Sequence, residues 1–291
     1  MASYWTNFWT SAAGPAIACV FTNPLDVAKT RLNMERELQA SHKTSGVFNV
    51  LQRTAQSEGV SGLQRGLKLA MVREASKNTF RIGLYQPIVD MFHDKGSGPA
   101  PLRVLLGASM TSGAVSAFIT NPLDLLKTRL QLDGSHARGT AAGTPIAMGA
   151  AIVREEGLGG LWRGTSVSMV RSGFGAAALL PTNSRLKEFA ASYMPAGAAS
   201  DGFCALGAGA ANVATINPVD VVRTRLYSQP LDAAGKGTLY DGALDAARKI
   251  MTIEGPAAFY KGATAHFLRV GPHTMLTFVF IGLIRRAVAS S

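Results

Sequence analysis

Acidic and basic side chains recur at one fixed spacing in three segments of this 291-residue chain. Each segment reads Pro-x-Asp-x-x-basic-x-Arg. The three prolines are Pro24, Pro122 and Pro218, which lie 98 and 96 residues apart. Because residues i and i+3 share one face of a helix, the aspartate and the base of each segment point the same way. The pattern predicts ion pairs between three neighbouring helices.

Three such helices around one axis would join their charges in a ring. In this arrangement each base meets the aspartate of a neighbouring segment. The expected pairs are Lys29 with Asp124, Lys127 with Asp220, and Arg223 with Asp26. The alternative is three unrelated surface pairs, each worth about 0.2–1 kcal/mol. Proline also predicts a helix kink at each segment, so the ring would close one end of a central passage.

A second marker gives the same threefold division. A Glu-Gly pair and, shortly after it, a basic-Gly pair follow each proline segment. The pairs are Glu58-Gly59 with Arg65-Gly66, Glu156-Gly157 with Arg163-Gly164, and Glu254-Gly255 with Lys261-Gly262. The chain is therefore three copies of a unit of roughly 100 residues. We place the copies at residues 1–97, 98–196 and 197–291, integrated into one domain.

Composition favours a helical membrane protein. Charged residues make up 16% of the chain and hydrophobic residues 47%, and the 31 glycines suit close helix packing. Residues 104–123 and 202–219 carry no charge, which is about enough for a membrane-spanning helix. Each copy has a second apolar stretch, at 67–92, 165–193 and 263–288, and a polar link with a short helix-like segment, at 47–55, 147–153 and 243–251. We predict an all-α protein of six transmembrane helices with both termini on one side.

Several other classes of protein are not supported. The net charge of +11 would suit a protein that binds nucleic acid, but no aromatic-interleaved basic stripe, zinc spacing or helix-turn-helix pattern accompanies it. The segment Gly207-Ala208-Gly209 lacks the third glycine and the strand of a nucleotide loop. Cys19 and Cys204 lie apart in apolar runs and are expected to be buried, inert thiols. We therefore predict no enzyme, no cofactor, no metal and no nucleic acid. The first ten residues show no cleavable presequence.

A second charged set lies in the middle of the second apolar stretches. Arg73, Arg171 and Arg269 each follow a basic-Gly glycine by seven residues. A charge at the centre of a membrane helix costs about 2.5–3.5 kcal/mol, so it faces a cavity or a partner. Lys77 and Arg81 extend the face of Arg73, and the one carboxylate nearby is Glu74.

This arginine set favours a small dianion as the ligand. Guanidinium groups bind carboxylate or sulfate oxygens in pairs. Snorkelling arginines, or arginines paired with backbone carbonyls, are the structural alternative. His273 lies one turn beyond Arg269, where it would contact substrate or sense pH, or else pack against a helix.

The three Pro-x-Asp-x-x-basic-x-Arg segments, with the Glu-Gly and basic-Gly pairs, resemble the mitochondrial carrier family over essentially the whole chain. This resemblance implies a pseudo-threefold bundle of six helices with short helices on the matrix side. It also implies alternating access across the inner mitochondrial membrane, termini toward the intermembrane space, and the Asp/base ring as the matrix gate. A monomer is implied as well, with cardiolipin at the Glu-Gly and basic-Gly helix ends.

The resemblance also assigns roles to individual positions. Many members brace the gate with a glutamine four residues after the motif base. Here that position holds Asn33, Gln131 and Tyr227, which predicts a gate brace at Gln131 and Tyr227 and reduced bracing overall. Members usually end the second helix with an aromatic-acid-x-x-basic motif that closes the cytosolic side. Gln86, Ser184 and Gly282 stand at the acid positions, so that closure would lack ion pairs.

Local segments narrow the resemblance to one branch. Residues 81–88 and 269–274 resemble the dicarboxylate, oxoglutarate, oxaloacetate and uncoupling-protein carriers, and 171–175 resembles the fungal oxaloacetate/sulfate carrier. The implied substrate contacts are Arg73, Lys77, Arg81, Arg171, Ser172, Arg269 and His273. The predicted function is transport of a dicarboxylate, oxaloacetate or sulfate, by exchange or with a proton. The alternatives are an uncoupling-like proton or anion leak, and a receptor or scaffold that does not transport.

Overall fold

Long helices dominate the computed structural model, which describes residues 2–35, 37, 45–93, 100–132, 144–193, 198–230, 232 and 237–289. Six of the helices in these residues are long and three are short. The long helices are α1 (Ala2–Met34), α3 (Leu67–Phe92), α4 (Leu102–Leu132), α6 (Thr165–Tyr193), α7 (Ala198–Ser228) and α9 (Ala263–Ala289). The short helices are α2 (Val47–Leu63), α5 (Pro145–Glu156) and α8 (Ala243–Lys249).

The helix pattern agrees with the sequence prediction. The second helix of each unit begins directly after its basic-Gly pair, as predicted for α3, α6 and α9. The short helix of the third unit ends earlier than predicted, because a π-helical turn, Ile250–Glu254, follows it. Pro24, Pro122 and Pro218 lie inside α1, α4 and α7, so these helices continue through their prolines.

The long helices pack in a closed ring. Going round it, each helix contacts the next in the order α1, α3, α4, α6, α7, α9, and α9 returns to α1. The first helices of the three units, α1, α4 and α7, also contact one another across the ring. They meet where the Pro-x-Asp-x-x-basic segments lie, so the fold brings those three segments together.

The basic-Gly pairs turn the chain into the second helices. Gly164 and Gly262 have φ of 67° and 74°, a left-handed conformation that residues with a side chain rarely adopt. A Cβ at Gly164 would lie 2.7 Å from the ring of Tyr227, and a Cβ at Gly262 would lie 2.5 Å from the Asn33 side chain. Glycine is therefore required both for the turn and for the close approach of a helix from another unit.

The Glu-Gly pairs also have a structural role. Each glutamate accepts from the last arginine of its own proline segment, with distances of 3.0 Å for Arg31–Glu58, 3.0 Å for Arg129–Glu156 and 2.8 Å for Arg225–Glu254. The Arg225–Glu254 pair is almost fully buried, at 0% and 1% side-chain exposure. Because an unpaired buried charge is costly, these pairs fix the polar link onto the first helix.

The asparagine before each proline also connects the first helix to the polar link, close to the start of the second helix. Asn121 donates to the carbonyls of Leu161 and Arg163, both at 3.1 Å. Asn23 and Asn217 make the equivalent pairs of bonds in the other two units. Sequence reasoning did not assign this asparagine a role, although its threefold recurrence was a usable signal.

By length and composition, one helix in the described part of the chain, Leu102–Leu132, is apolar enough to cross a membrane. The second helices α3, α6 and α9 carry the charges of the arginine set, which lower their hydropathy. Several large apolar side chains of the long helices nevertheless face outward, among them Phe118, Phe174 and Met275 at 50%, 51% and 70% exposure.

Candidate functional site

The acids and bases of the proline segments form a ring of ion pairs, but not in the predicted order. Each base pairs with the aspartate of the preceding unit. The three pairs are Lys29–Asp220 at 2.5 Å, Lys127–Asp26 at 2.9 Å and Arg223–Asp124 at 2.8 Å. The predicted pairs Lys29–Asp124, Lys127–Asp220 and Arg223–Asp26 are wrong.

The hand of the ring explains this error. The spacing within a segment places the acid and the base on the same face of a helix. It does not state in which direction the units follow one another around the axis. That direction decides whether the base faces the unit before it or the unit after it, and it depends on how all six helices pack.

A double-mutant cycle tests the observed pairing. Asp26→Asn, Lys127→Gln and the double variant are expected to show a coupling of about 0.5–3 kcal/mol in thermal stability, because the two groups contact each other. The control pair is Asp26→Asn with Arg223→Gln, for which a smaller coupling is expected, because these two residues share the ion-pair network but do not contact each other. A larger coupling for the control than for Asp26 and Lys127 would contradict the observed hand.

The arginine set reaches the same three aspartates. Arg73 donates through Nε to Oδ1 of Asp124 at 2.6 Å. Arg171 donates in the same way to Asp220, and Arg269 forms an ion pair with Asp26. The prediction that these arginines lack acidic partners apart from Glu74 is therefore wrong. The sequence did not show that seven residues of helix beyond the basic-Gly turn bring each arginine level with the proline segments.

Each aspartate thus bridges two cations. One cation is a ring base on the first helix of another unit, α1, α4 or α7. The other cation is an arginine of the arginine set, on α3, α6 or α9. Asp26 contacts Lys127 and Arg269, Asp124 contacts Arg223 and Arg73, and Asp220 contacts Lys29 and Arg171. A change at any arginine of the set therefore alters the ring directly.

The charged residues line one cavity of about 360 Å³. Its walls carry four carboxylates, from the three ring aspartates and Glu74, and eight cationic side chains. The cations are Lys29, Arg73, Lys77, Arg81, Lys127, Arg171, Arg223 and Arg269. The cavity walls therefore hold an excess of four positive charges, which attracts anions.

Three of these cations are the most available to a ligand. Lys77 and Arg81 line the cavity and make no ion pair with another described side chain. Arg171 is 18% exposed, and among the described residues its one ionic contact is through Nε to Asp220. Among the described residues its one hydrogen bond is also made by Nε, so its terminal nitrogens can donate to an anion in the cavity.

The other predicted contacts occupy the same cavity. Ser172 lies in the wall and donates to the carbonyl of Ser168, one turn earlier, at 3.1 Å. His273 also lines the wall, and its Nδ1 lies 3.1 Å from the hydroxyl of Thr22. All seven predicted substrate contacts therefore border one space.

Sequence reasoning missed His266, which is 2% exposed and also lines the cavity. Its Nδ1 lies 3.7 Å from Oδ2 of Asp220. The equivalent positions in the other units are Ala70 and Ser168, so the repeat gave no signal for a histidine here.

All three brace positions connect neighbouring units. The Gln131 side chain accepts from Thr30 at 2.9 Å. Asn33 contacts the hydroxyl of Thr224 at 3.2 Å. The Tyr227 hydroxyl forms three hydrogen bonds, with Asn121 at 2.5 Å, Ser168 at 2.7 Å and Arg223 at 3.0 Å. The aromatic ring of Tyr227 also lies 4.9 Å below the guanidinium of Arg223, a member of the ion-pair ring. Because both its hydroxyl and its aromatic ring contact polar groups, bracing is not reduced at Tyr227.

Removing one hydroxyl tests this brace. Tyr227→Phe keeps the ring beneath Arg223 but loses three hydrogen bonds, and a loss of about 0.5–1.5 kcal/mol in stability is expected. Thermal unfolding of the purified protein measures it. Tyr260→Phe is the control, because Tyr260 is 51% exposed and its variant should melt with the parent. Equal melting temperatures for Tyr227→Phe and Tyr260→Phe would show that the Tyr227 hydroxyl does not brace the ion-pair ring.

At the opposite end, the described acids bond within their own helices. Gln86 donates to Asp90 at 2.8 Å in α3. Arg185 donates to Glu188 at 3.1 Å in α6. The side chains at positions 184, 187, 282 and 285 lie outside the described part of the structure, so the predicted lack of ion pairs between units at this end remains a prediction.

Comparison with known proteins agrees with this architecture. A family model described as "Mitochondrial carrier protein" matches residues 1–96, 99–193 and 195–291. The 2-oxoglutarate/malate carrier of Mus musculus is 32% identical over 93% of this chain and 87% of its own. The dicarboxylate carrier UCP2 of Danio rerio is 33% identical over 98% and 93%. The carrier family protein ucpB of Dictyostelium discoideum is 31% identical over 92% and 91%.

Proposed function

Because this chain belongs to the mitochondrial carrier family, whose members are transporters of the inner mitochondrial membrane, we propose that it carries small dianions by alternating access. The proposed substrates are dicarboxylates, oxaloacetate or sulfate, moved by exchange or together with a proton. In this proposal the six long helices span the membrane as a pseudo-threefold monomer. The termini face the intermembrane space, and the polar links and short helices face the matrix.

The observation that carries the proposal is the charge of the cavity. Eight cations against four carboxylates leave an excess that the protein itself does not neutralise. A dianion would offset half of it. The volume of about 360 Å³ is at the small end of ligand sites, which suits a small acid better than a nucleotide.

The shared aspartates suggest how binding and gating are linked. In the structure the ring is closed, and Asp26 and Asp220 each hold one ring base and one arginine of the cavity. A substrate carboxylate that takes Arg171 or Arg269 competes with these aspartates. An aspartate that loses one of its two cations holds the ring less tightly, so substrate binding would favour opening of the matrix gate.

Two alternative functions can be distinguished from dianion transport. A proton or anion leak would resemble the uncoupling-like relatives, and it would conduct protons without a dianion on either side. A receptor or scaffold would not need the cavity charge. The pairing of the arginine set with the ring makes those arginines weaker evidence against a scaffold, but Lys77 and Arg81 lie outside the ring pairs and still favour transport.

A ligand screen tests the function. The purified protein is heated with small dicarboxylates, oxaloacetate, sulfate, phosphate or nucleotides, and the melting temperature is recorded. A ligand that binds the native state raises it in proportion to RT ln(1 + [L]/Kd). We expect dicarboxylates or sulfate to give the largest shifts. A shift with nucleotides alone, or dianion uptake by liposomes no faster than without protein, would contradict the proposal.

A further inference from the structure

Three side chains with metal-binding chemistry meet where α1, α3 and α9 pack together. Cys19 is fully buried behind the cavity wall, and Glu74 and His273 line the wall. The cysteine sulfur, one carboxylate oxygen and one ring nitrogen lie within 4.8 Å of one another. We propose that this cluster binds one Zn²⁺ ion at one side of the cavity, next to the ion-pair ring, and that it does so without substrate present.

The ligand types match this ion. Zn²⁺ is bound in proteins by thiolate, imidazole and carboxylate, and a site with three protein ligands leaves the fourth position open. Zinc–ligand bonds of about 2.0–2.3 Å place tetrahedral ligand atoms about 3.5 Å apart. The three atoms lie within 4.8 Å of one another, so side-chain rotations of about an ångström would bring them to the separation that a bound ion requires. The Thr22 hydroxyl already contacts the His273 ring, which helps to orient a histidine ligand.

The charge change on binding is small. Zn²⁺ binds the thiolate, so the Cys19 thiol releases its proton when the metal enters. The ion, one thiolate and one carboxylate together are neutral, whereas the empty site with its thiol protonated carries the single charge of Glu74. Arg73 and Arg269 also contact Glu74, but each keeps a ring aspartate if the metal takes that carboxylate. The thiolate ligand selects Zn²⁺ over Mg²⁺ and Ca²⁺, which prefer oxygen.

The cluster is not a by-product of the repeat. The equivalent positions at the α4–α6–α3 junction are Ala117, Ser172 and Lys77, and those at the α7–α9–α6 junction are Val213, Val270 and Gly175. Neither set offers a thiol, a carboxylate or an imidazole. Three independent departures from the repeat therefore coincide at one place, and all three introduce a zinc ligand.

Cobalt is a suitable probe, because a Co²⁺–thiolate bond gives a strong near-ultraviolet charge-transfer band. The full-length protein has two cysteines, so the Cys204→Ser variant keeps Cys19 as its only thiol. In detergent and without substrate, Co²⁺ is expected to produce the band in the parent and in Cys204→Ser. Zn²⁺ should then remove it, and Mg²⁺ at the same concentration should not.

The matched variant is Cys19→Ser, in which the band should be absent. Its affinity for Zn²⁺ should be more than about 100-fold weaker than that of the parent, because loss of a residue that only supports a metal ligand already costs about 10- to 100-fold. His273→Gln should keep a thiolate band but weaken Co²⁺ binding. Absence of the band in folded Cys204→Ser would overturn the site, even if Cys19→Ser failed to fold. Because no substrate and no transport assay are involved, this result is separate from the outcome of the ligand screen.

Discussion

Uptake of a dicarboxylate or sulfate by reconstituted protein is expected to fall by about 10- to 150-fold when Arg171 or Arg269 is replaced by alanine. The estimate takes the loss as one charge-assisted hydrogen-bonding group worth about 1.5–3 kcal/mol. Arg171 is the stronger test, because it lines the cavity and Asp220 is its one ionic partner among the described residues, whereas Arg269 has two. The measurement is the initial rate of labelled substrate uptake into liposomes.

The control lies on the same helix as Arg171. Arg185 is 83% exposed and pairs with Glu188 on the surface of α6, so Arg185→Ala should transport at nearly the parental rate. Uptake by Arg269→Ala at the parental rate would show that the arginine set does not bind the substrate. Equal losses for Arg185→Ala and Arg171→Ala would point to a general defect of the bundle.

Lysine variants separate binding from gating. Lysine keeps the charge but lacks the planar fork that holds an aspartate and a substrate oxygen together. Arg171→Lys is therefore expected to recover only part of the uptake. Because Asp220 also holds Lys29, the ring should stay closed in this variant. If Arg171→Lys takes up substrate slowly while the ion-pair ring stays closed, transport requires the paired N–H donors of the guanidinium and not only its positive charge.

The sequence predicted the elements well because the repeat supplies three independent readings of each signal. The basic-Gly pairs placed the starts of α3, α6 and α9 correctly, since a left-handed glycine is a local requirement. The arginine set and the ring residues were also found, because charges that recur in apolar helices are conspicuous. Local chemistry and spacing were sufficient for these features.

The errors concern relations between units, which no local pattern contains. The ring pairs run in the opposite direction from the prediction, because direction around the axis is a property of the packed bundle. The same packing brings Arg269 to Asp26, although 243 positions separate them in the chain. The meeting of Cys19 with His273, and the burial of His266 beside Asp220, depend on the contact of α9 with α1 and α7 and could not be read from spacing.

The two ends of the bundle differ in their charges, and this difference predicts which end is closed at rest. The ion-pair ring, which we propose faces the matrix, has all three ion pairs, and each of its aspartates also holds an arginine. At the other end, the positions where related carriers place acids hold Gln86, Ser184 and Gly282. On the prediction that these positions pair with nothing, closing that end would bring the bases Lys187 and Arg285 toward neutral neighbours and is expected to gain no ion pair. The carrier without substrate is therefore expected to rest with the matrix ring closed and the cavity open to the cytosolic side.

A single cysteine in the cavity wall reports the open side. Ser109 lines the cavity and is not one of the proposed substrate contacts, so Ser109→Cys on a background with Cys19→Ser and Cys204→Ser is suitable. A thiol reagent that does not cross membranes is added to right-side-out or inverted inner-membrane vesicles. Without substrate, labelling is expected to be fast from the cytosolic face and slow from the matrix face. Faster labelling from the matrix face would show that the matrix ring does not hold the resting state.

Adding acids at the cytosolic end is expected to reverse this preference in part. Gln86→Glu with Ser184→Glu would supply partners for Lys187 and Arg285, and two such pairs are worth about 0.2–1 kcal/mol each. About 1.4 kcal/mol changes a two-state ratio tenfold, so the ratio of cytosolic to matrix labelling should fall by about 2- to 30-fold. A base at Val89 is better avoided, because that side chain is 7% exposed and an ammonium group there would be buried. Ser184→Gln is the neutral control and should leave the ratio unchanged. If the acidic double variant and this control label alike, ion pairs at the cytosolic end do not set the resting conformation.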